Sequence, residues 1–349
     1  MLIADKSYFK KSLEIAWPAV LEFLFISIAG MIDTFMVSGM GPSAISAIGL
    51  VTQPKFIALS VFFSINASVS ALIARRQGEG NRSKANETLM SAFYIMIFFV
   101  VIVDLIMIPL ADPILKFAGS NADTHDLAYQ YYIITMVGMF FNCLSMLINA
   151  AHRGCGHTRI AFFSNLVSSI VNIGFNYVLI NGRLGFPKLG VAGAALATVL
   201  GTVVASIMCI ISLLSKTSYI NFAHIIKSKF QFSIKIAKEI KHLAVNIFIE
   251  NVSARVGFLV TAITAAKLGT DAFAAHNVGM NLLSISFSLG DGMQVAAIAL
   301  TGNALGAGLK EEAKKYGKTC QQIGFFASII ISLIMIFFGR SIFLSLIHI

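Results

Sequence analysis

The chain has 349 residues, 57% hydrophobic and only 12% charged, with a mean hydropathy of +0.83. Soluble globular domains carry about 25% charged residues, so this balance excludes an ordinary soluble domain and points to a protein that crosses a bilayer many times. The formal net charge of +10 does not indicate a nucleic-acid partner: cations flanking membrane spans are what orientation requires, and no basic, aromatic-interleaved soluble stretch is present. Cys143, Cys155, Cys209 and Cys320 have no CxxC or paired spacing and carry no disulfide argument.

A bilayer core is crossed by about 20 apolar helical residues. Nine stretches meet that length, at roughly 13–37, 45–74, 89–110, 127–150, 160–181, 190–215, 240–266, 272–305 and 317–338. The first follows Lys6, Lys10 and Lys11 in the manner of a signal peptide, but it is too long for an h-region and no small-residue cleavage site follows. The second contains Pro54, which predicts a kink or tilt. Connections are short except at 216–239, a polar segment holding Lys216, Lys227, Lys229, Lys235 and Lys238. The expected organisation is therefore an N-terminal lobe of six spans (1–215), a cytoplasmic linker (216–239) and an incomplete C-terminal lobe of three spans (240–349). With the N-terminus inside, nineteen Lys and Arg fall in cytoplasmic segments and five outside, which predicts a cytoplasmic N-terminus.

An ungapped offset of 228 residues places Glu22 on Glu250, Gly41 on Gly269, Ala71 on Ala299, Gly78 on Gly306 and Gly80 on Gly308. A mid-span acid, a span-closing glycine and a GxG before a basic loop thus recur in register. Six spans separate the copies, an even number, so the halves are parallel repeats related by an axis along the membrane normal. The offset sets residue 349 opposite Asn121, and the chain reads as a fragmentary twelve-span protein with about nine helices present.

The first span carries Glu14, Glu22 and Asp33. An acid on a membrane helix costs roughly 2.5–3.5 kcal/mol on insertion scales, so one kept there is a functional candidate. Glu22 and Asp33 are 11 residues apart, about 20° beyond three full turns, so they share a face ~16 Å apart. A carboxylate held away from water takes a proton more readily than an exposed one, and its charged form attracts a cation. Asp33 is the leading cation-coupling candidate, against a structural role capping or pairing near the outer interface; Glu22 is a pathway acid, or else pairs with a lysine or sits near the inner lobe seam. Glu250 is the second-lobe counterpart of Glu22. Arg255, five residues on and about 140° around the helix, is a structural partner or pocket liner and does not face Glu250. Asp104 and Asp291 lie in spans without an evident partner, Asp291 being a pocket-lining candidate, and Lys55 is expected to snorkel to the surface. Asn172 and Asn176 share one face of the fifth span at i, i+4. His152, Cys155 and His157 make only three ligands within a glycine-punctuated turn, too few for structural zinc, so no metal is expected. The GxG turns follow no strand and are not nucleotide loops.

WPAVLEFLFISIAGMIDTFMVSGMG, AHRGCGHTR, NIGFNYVLINGRLGFPKLGVAGAALAT, KLGTDAFAAHNV and GDGMQVAAIALTGNALGAG together resemble the multidrug and toxic compound extrusion (MATE) family. The resemblance covers essentially the whole chain. It implies an all-α polytopic membrane protein, a two-lobe helical bundle with parallel six-helix repeats. It implies a secondary antiporter, not an enzyme, that exports amphipathic and cationic drugs in exchange for H+ or Na+. No cofactor beyond that coupling ion is implied. The partners would be the lipid bilayer and small organic substrates, and the protein is expected to be a monomer in the inner membrane of a bacterium. Asn172 and Asn176 fall where the family's polar residues join the first-helix acid; Asn176 stands where an Asp is common, so Asp33 is expected to carry the only charge there. Asn246 replaces a usual proline, and Ala254 stands where sodium-coupled members have an acid, which favours protons. A lipid-linked oligosaccharide flippase of the same superfamily is the alternative, and it would want a cavity rich in Arg and Lys. A fragment that transports nothing is a further possibility.

Overall fold

The computed structural model describes residues 6–215, 218–228, 231–267 and 270–347. Twelve helices run through them: α1 (Lys6–Ser38), α2 (Pro42–Gly78), α3 (Arg82–Met107), α4 (Ala111–Phe117), α5 (His125–Val137), α6 (Met139–Gly154), α7 (Thr158–Leu179), α8 (Gly190–Leu213), α9 (Phe222–Ser228), α10 (Ile234–Lys267), α11 (Thr270–Gly306) and α12 (Lys310–Ile347). Local chemistry sets several boundaries. Gly41, at φ +101°, turns the chain before Pro42 opens α2, and proline's fixed φ suits a first helical position. The Asn81 side chain caps α3 by accepting from Lys84 N at 3.0 Å.

Among the described residues, six single helices and the bent pair α5–α6 have the length and hydropathy to cross a membrane. Helices α10 and α11, 34 and 37 residues long, lie where the seventh and eighth spans were expected. The fourth span departs from expectation. The stretch expected as one helix over 127–150 is broken at Gly138, where α5 and α6 meet at 49°. The α8 helix forces the absence of a side chain there: a Cβ on Gly138 would stand 2.8 Å from Val199 Cγ1.

The repeat is visible in the helix bounds. Adding 228 to α1 gives 234–266, adding it to α2 gives 270–306, and adding it to the start of α3 gives 310. Both GxG turns place their second glycine in the left-handed region, Gly80 at φ +68° and Gly308 at φ +79°, a conformation that costs glycine nothing. The Gly41–Gly269 match and the motif around Leu268 and Gly269 lie outside the described residues, as do Lys216 and Lys229.

The two halves meet through α1 and α2 on one side and α10, α11 and α12 on the other. At the end bearing Arg75, Arg76 and Lys310, the repeat-related glycines Gly78 and Gly306 bring the α2 and α11 backbones into contact. A Cβ on Gly78 would lie 2.8 Å from the Asn303 carbonyl carbon, and one on Gly306 would lie 2.9 Å from that of Arg75. Nearby, Arg76 pairs with Glu239 at 2.7 Å, Tyr8 meets Tyr316 edge-on with centroids 4.8 Å apart, and the Cys320 thiol lies 3.6 Å from Ser12 Oγ. Further along, Gly292 rides on α1, where a Cβ would stand 2.7 Å from Val20 N. Ala16, Met293, Ala296 and Cys320 form a small buried cluster on this seam. The main core, including Phe62, Tyr132 and Met136, fills the first lobe.

The linker is more ordered than its polarity suggests. Arg82 donates to the carbonyls of Tyr219 (2.9 Å) and Ser218 (2.7 Å), and Asn221 N donates to Asn86 Oδ1 at 3.0 Å. The segment forms α9, and α10 begins at Ile234, so the last residues expected as linker are helix.

Candidate functional site

Helices α1 and α7 run side by side in one register, with residues 143 apart facing each other. Thr158 Oγ1 donates to the Ile15 carbonyl at 3.1 Å, Asn165 Nδ2 to Glu22 Oε1 at 2.7 Å, and Asn176 Nδ2 to Asp33 Oδ1 at 2.7 Å. The 11-residue spacing of the two acids is thus matched by that of two amides, and each carboxylate has its own donor.

Around Asp33 the chain assembles a polar pocket within the first lobe. With its amide oriented to meet its neighbours' hydrogen-bonding needs, Asn172 donates to Asp33 Oδ1 at 2.7 Å and Oδ2 at 3.1 Å and accepts from Thr198 N at 3.2 Å. Asn172 and Asn176 are buried, as the shared face required. Tyr131 of α5 bonds Thr198 of α8 and lies within electrostatic reach of Asp33. The Asn176 Oδ1 atom is buried with no hydrogen-bond partner. Both amides turn N–H groups toward Asp33, so the acceptors offered here to a proton or an alkali cation are the carboxylate oxygens and the unpartnered Asn176 Oδ1.

Two expectations need correction here. Asp33 does not carry the only charge in its surroundings: Lys55 of α2 lies within its electrostatic reach. Lys55 is half-buried and near enough to the acid to interact with it, in place of snorkelling away to the surface. Tyr131, Thr198 and Lys55 were missed as members of the group. No short-range pattern marks them, since they converge from three separate helices.

Glu22 is the second centre. It is 1% exposed, and it pairs with an arginine: Arg153 Nη1 lies 2.8 Å from Oε1. Asn165 bonds the same oxygen, whereas Oε2 is buried without a partner. The Arg153 guanidinium also lies over the Phe23 ring at 5.9 Å. Its neighbour His152 turns into the lobe, Nε2 lying 2.7 Å from Ser212 Oγ.

The second-half candidates are arranged differently. Glu250, the counterpart of buried Glu22, is exposed. Arg255 crosses to the first lobe and lies over the Phe56 ring at 4.4 Å. Asp291, also exposed, lies within electrostatic reach of both Arg255 and Arg153. The structure brings Asp33, Asn172 and Asn176 into one group; Glu22 pairs with Arg153, and Glu250 is exposed.

The MatE family model matches residues 18–178 and 247–348. The chain belongs to the MatE family. Among curated relatives it is 27% identical over 303 residues to a probable multidrug resistance protein NorM of Thermotoga maritima, covering 86% of this chain and 64% of that protein. It is 23% identical to the NorM of Bacillus cereus, covering 93% and 72%. The transporter YisQ of Bacillus subtilis is 24% identical, covering 84% and 64%. The chain therefore spans about 64% of the length of the first of these relatives. Among solved structures it is similar to the outward-facing conformation of a multidrug resistance MATE transporter of the MOP superfamily, with TM-score 0.87, 22% identity and coverage of 96% and 73%. A MOP-superfamily transporter from Pyrococcus furiosus gives TM-score 0.85 at 22% identity, with the same coverage. These likenesses establish an all-α two-lobe MATE fold.

Proposed function

We propose that the chain acts as a secondary active antiporter that exports amphipathic, often cationic organic compounds in exchange for H+ or Na+. The observation that carries this reading is the Asp33 pocket: a carboxylate inside a membrane lobe, held by two buried amides, beside an amide oxygen left without a partner. A proton on Asp33 or a cation among these oxygens would satisfy that acceptor. Lys55 gives Asp33 an internal counter-charge that an entering cation would compete with. The names of the NorM relatives support drug efflux as the transport direction.

The excess of Lys and Arg supports a cytoplasmic N-terminus and a cytoplasmic position for the basic end of the lobe interface, and the bacterial NorM relatives support a multi-pass place in a bacterial inner membrane. Ion entry at Asp33 would reshape the first lobe and release substrate, and linkage requires ion and substrate affinities to be coupled. Protons are favoured over sodium because Ala254 replaces the second-lobe acid. In membrane vesicles carrying the protein, Asp33→Asn should abolish efflux at unchanged expression; efflux that persists would refute the coupling role.

A further inference from the structure

The start of α10 carries a groove that no step of the mechanism above uses. It holds about 370 Å3 and is lined by Lys238, Lys241, His242, Val245 and Asn246, a size within the roughly 300–1,000 Å3 of small-ligand sites. These residues fall at i, i+3, i+4, i+7 and i+8, a single stripe along the helix, and all five are exposed. Lys238, Lys241 and His242 lie on the linker side, and from Leu243 onward the helix is largely apolar. The three basic side chains therefore stand at the boundary between water and hydrocarbon, with Val245 and Asn246 one turn further in. Acids do not neutralise them. Among the described residues none of the three takes part in an ion pair. Glu239 is turned to Arg76 of α2 at 2.7 Å, and Glu250 lies about 12 Å along the helix from His242.

The repeat indicates what covers this stripe. The 228-residue offset sets Lys238, Lys241, His242 and Val245 opposite Lys10, Leu13, Glu14 and Trp17 of α1. There a neighbouring helix is in place: α7 packs beside α1, Thr158 bonding the Ile15 carbonyl and Arg159 lying over the Trp17 ring at 5.8 Å. Leu13 nevertheless stays 38% and Trp17 45% exposed, so in the first lobe this stripe faces lipid and not another helix. The charges differ between the copies. Lys10 lies 3.9 Å from Glu14, whereas α10 has His242 in place of that acid and Lys241 in place of a leucine. We propose that the start of α10 binds the phosphate head group of an anionic phospholipid. Lys238, Lys241 and His242 donate to its oxygens, and Val245 receives the upper part of an acyl chain. Cations clustered beside an apolar helix attract anionic lipid, and His242 offers a ring N–H whether charged or neutral. That the lipid comes from the cytoplasmic leaflet rests on the orientation above; the binding itself does not.

The test is tryptophan fluorescence of the purified full chain in phosphatidylcholine bilayers, with brominated-chain phosphatidylglycerol as the quencher. Trp17 is the only tryptophan. Trp17→Phe combined with Ile249→Trp, an exposed position one turn beyond Val245, leaves a single reporter on the stripe. The account expects stronger quenching than the same fraction of brominated phosphatidylcholine gives. That preference should fall about fivefold in Lys241→Gln, vanish in the triple variant Lys238→Gln, Lys241→Gln, His242→Gln, and persist in Lys10→Gln. Should the triple variant fail to reconstitute, Lys241→Gln alone must show the fall. Equal quenching by the two lipids, a preference that survives the substitutions, or an equal fall in Lys10→Gln would each overturn the proposal. Relief of quenching by millimolar inorganic phosphate would assign the groove to a soluble phosphate and overturn it as well. Transport is not read in this experiment, so failure of the antiport reading would leave its result unchanged.

Discussion

The tightest part of the lobe interface is also its most testable. Gly78 and Gly306 occupy equivalent places in the two repeats, and each lies against the other helix's backbone. A methyl group at Gly78 would stand 2.8 Å from the Asn303 carbonyl carbon and 3.0 Å from Ala307 N; one at Gly306 would stand 2.9 Å from the Arg75 carbonyl carbon and 3.0 Å from Glu79 N. Ordinary contact needs several tenths of an ångström more, and the obstacles are backbone atoms, which cannot swing aside. Overpacking of this kind costs about 1–3 kcal/mol. The strain exists only while the lobes are closed at this end, so the open form gains by that amount. At about 1.4 kcal/mol per factor of ten, a cost of about 2 kcal/mol raises the open fraction roughly 30-fold. Cys320 reports it, because its thiol is 3% exposed and lies on the same seam against Ser12. Gly306→Ala should therefore accelerate labelling of Cys320 by a maleimide applied from the basic side by about that factor. Gly324→Ala, with no atoms within 4 Å of its Cβ position, should not, and Cys320→Ala supplies the blank. Equal labelling rates in Gly306→Ala and wild type, both folded, would refute the closure.

Other outcomes follow from the same contacts. Arg153→Ala strands the buried Glu22 carboxylate and should cost about 3–5 kcal/mol in thermal unfolding, with much of the loss recovered in the double variant with Glu22→Gln; no recovery would mean that the pair is not the cause. Arg82→Ala removes both anchors on the Ser218 and Tyr219 carbonyls and should speed proteolysis within 216–233 without affecting cleavage elsewhere. Asp112 is held below its ordinary value of 3.8, first by the hydrogen bond from Lys116 and also by His125. A depressed folded value stabilises above the ordinary value and fades as pH falls below it, so amide exchange over 111–125 should be steady near neutrality and quicken below about pH 4.

Much of this architecture was legible in the sequence because two periodic signals survive in it. Hydrophobic length marked the spans, and the constant offset between Glu22 and Glu250 or Gly78 and Gly306 marked the halves. Local face geometry also joined Asn172 to Asn176. The unread part depends on contacts between distant helices. Arg153 sits in a loop-like HRGCGHTR run 131 residues from Glu22, and nothing in that run shows where its guanidinium points. Lys55 read as a surface cation because its neighbour α1 was not yet placed beside it. The crowding at Gly138 comes from Val199, contributed by another helix. One overlooked signal was available: Asn165 and Asn176 repeat the spacing of Glu22 and Asp33, which marks α1 and α7 as parallel partners.

The central claim is that Asp33 couples ion entry to export. It is tested most directly by substrate efflux from vesicles under imposed proton and sodium gradients, comparing wild type with Asp33→Asn at matched protein levels. The account predicts gradient-driven efflux in the wild type and none in the variant under either ion. Gradient-driven efflux that survives the substitution would contradict it.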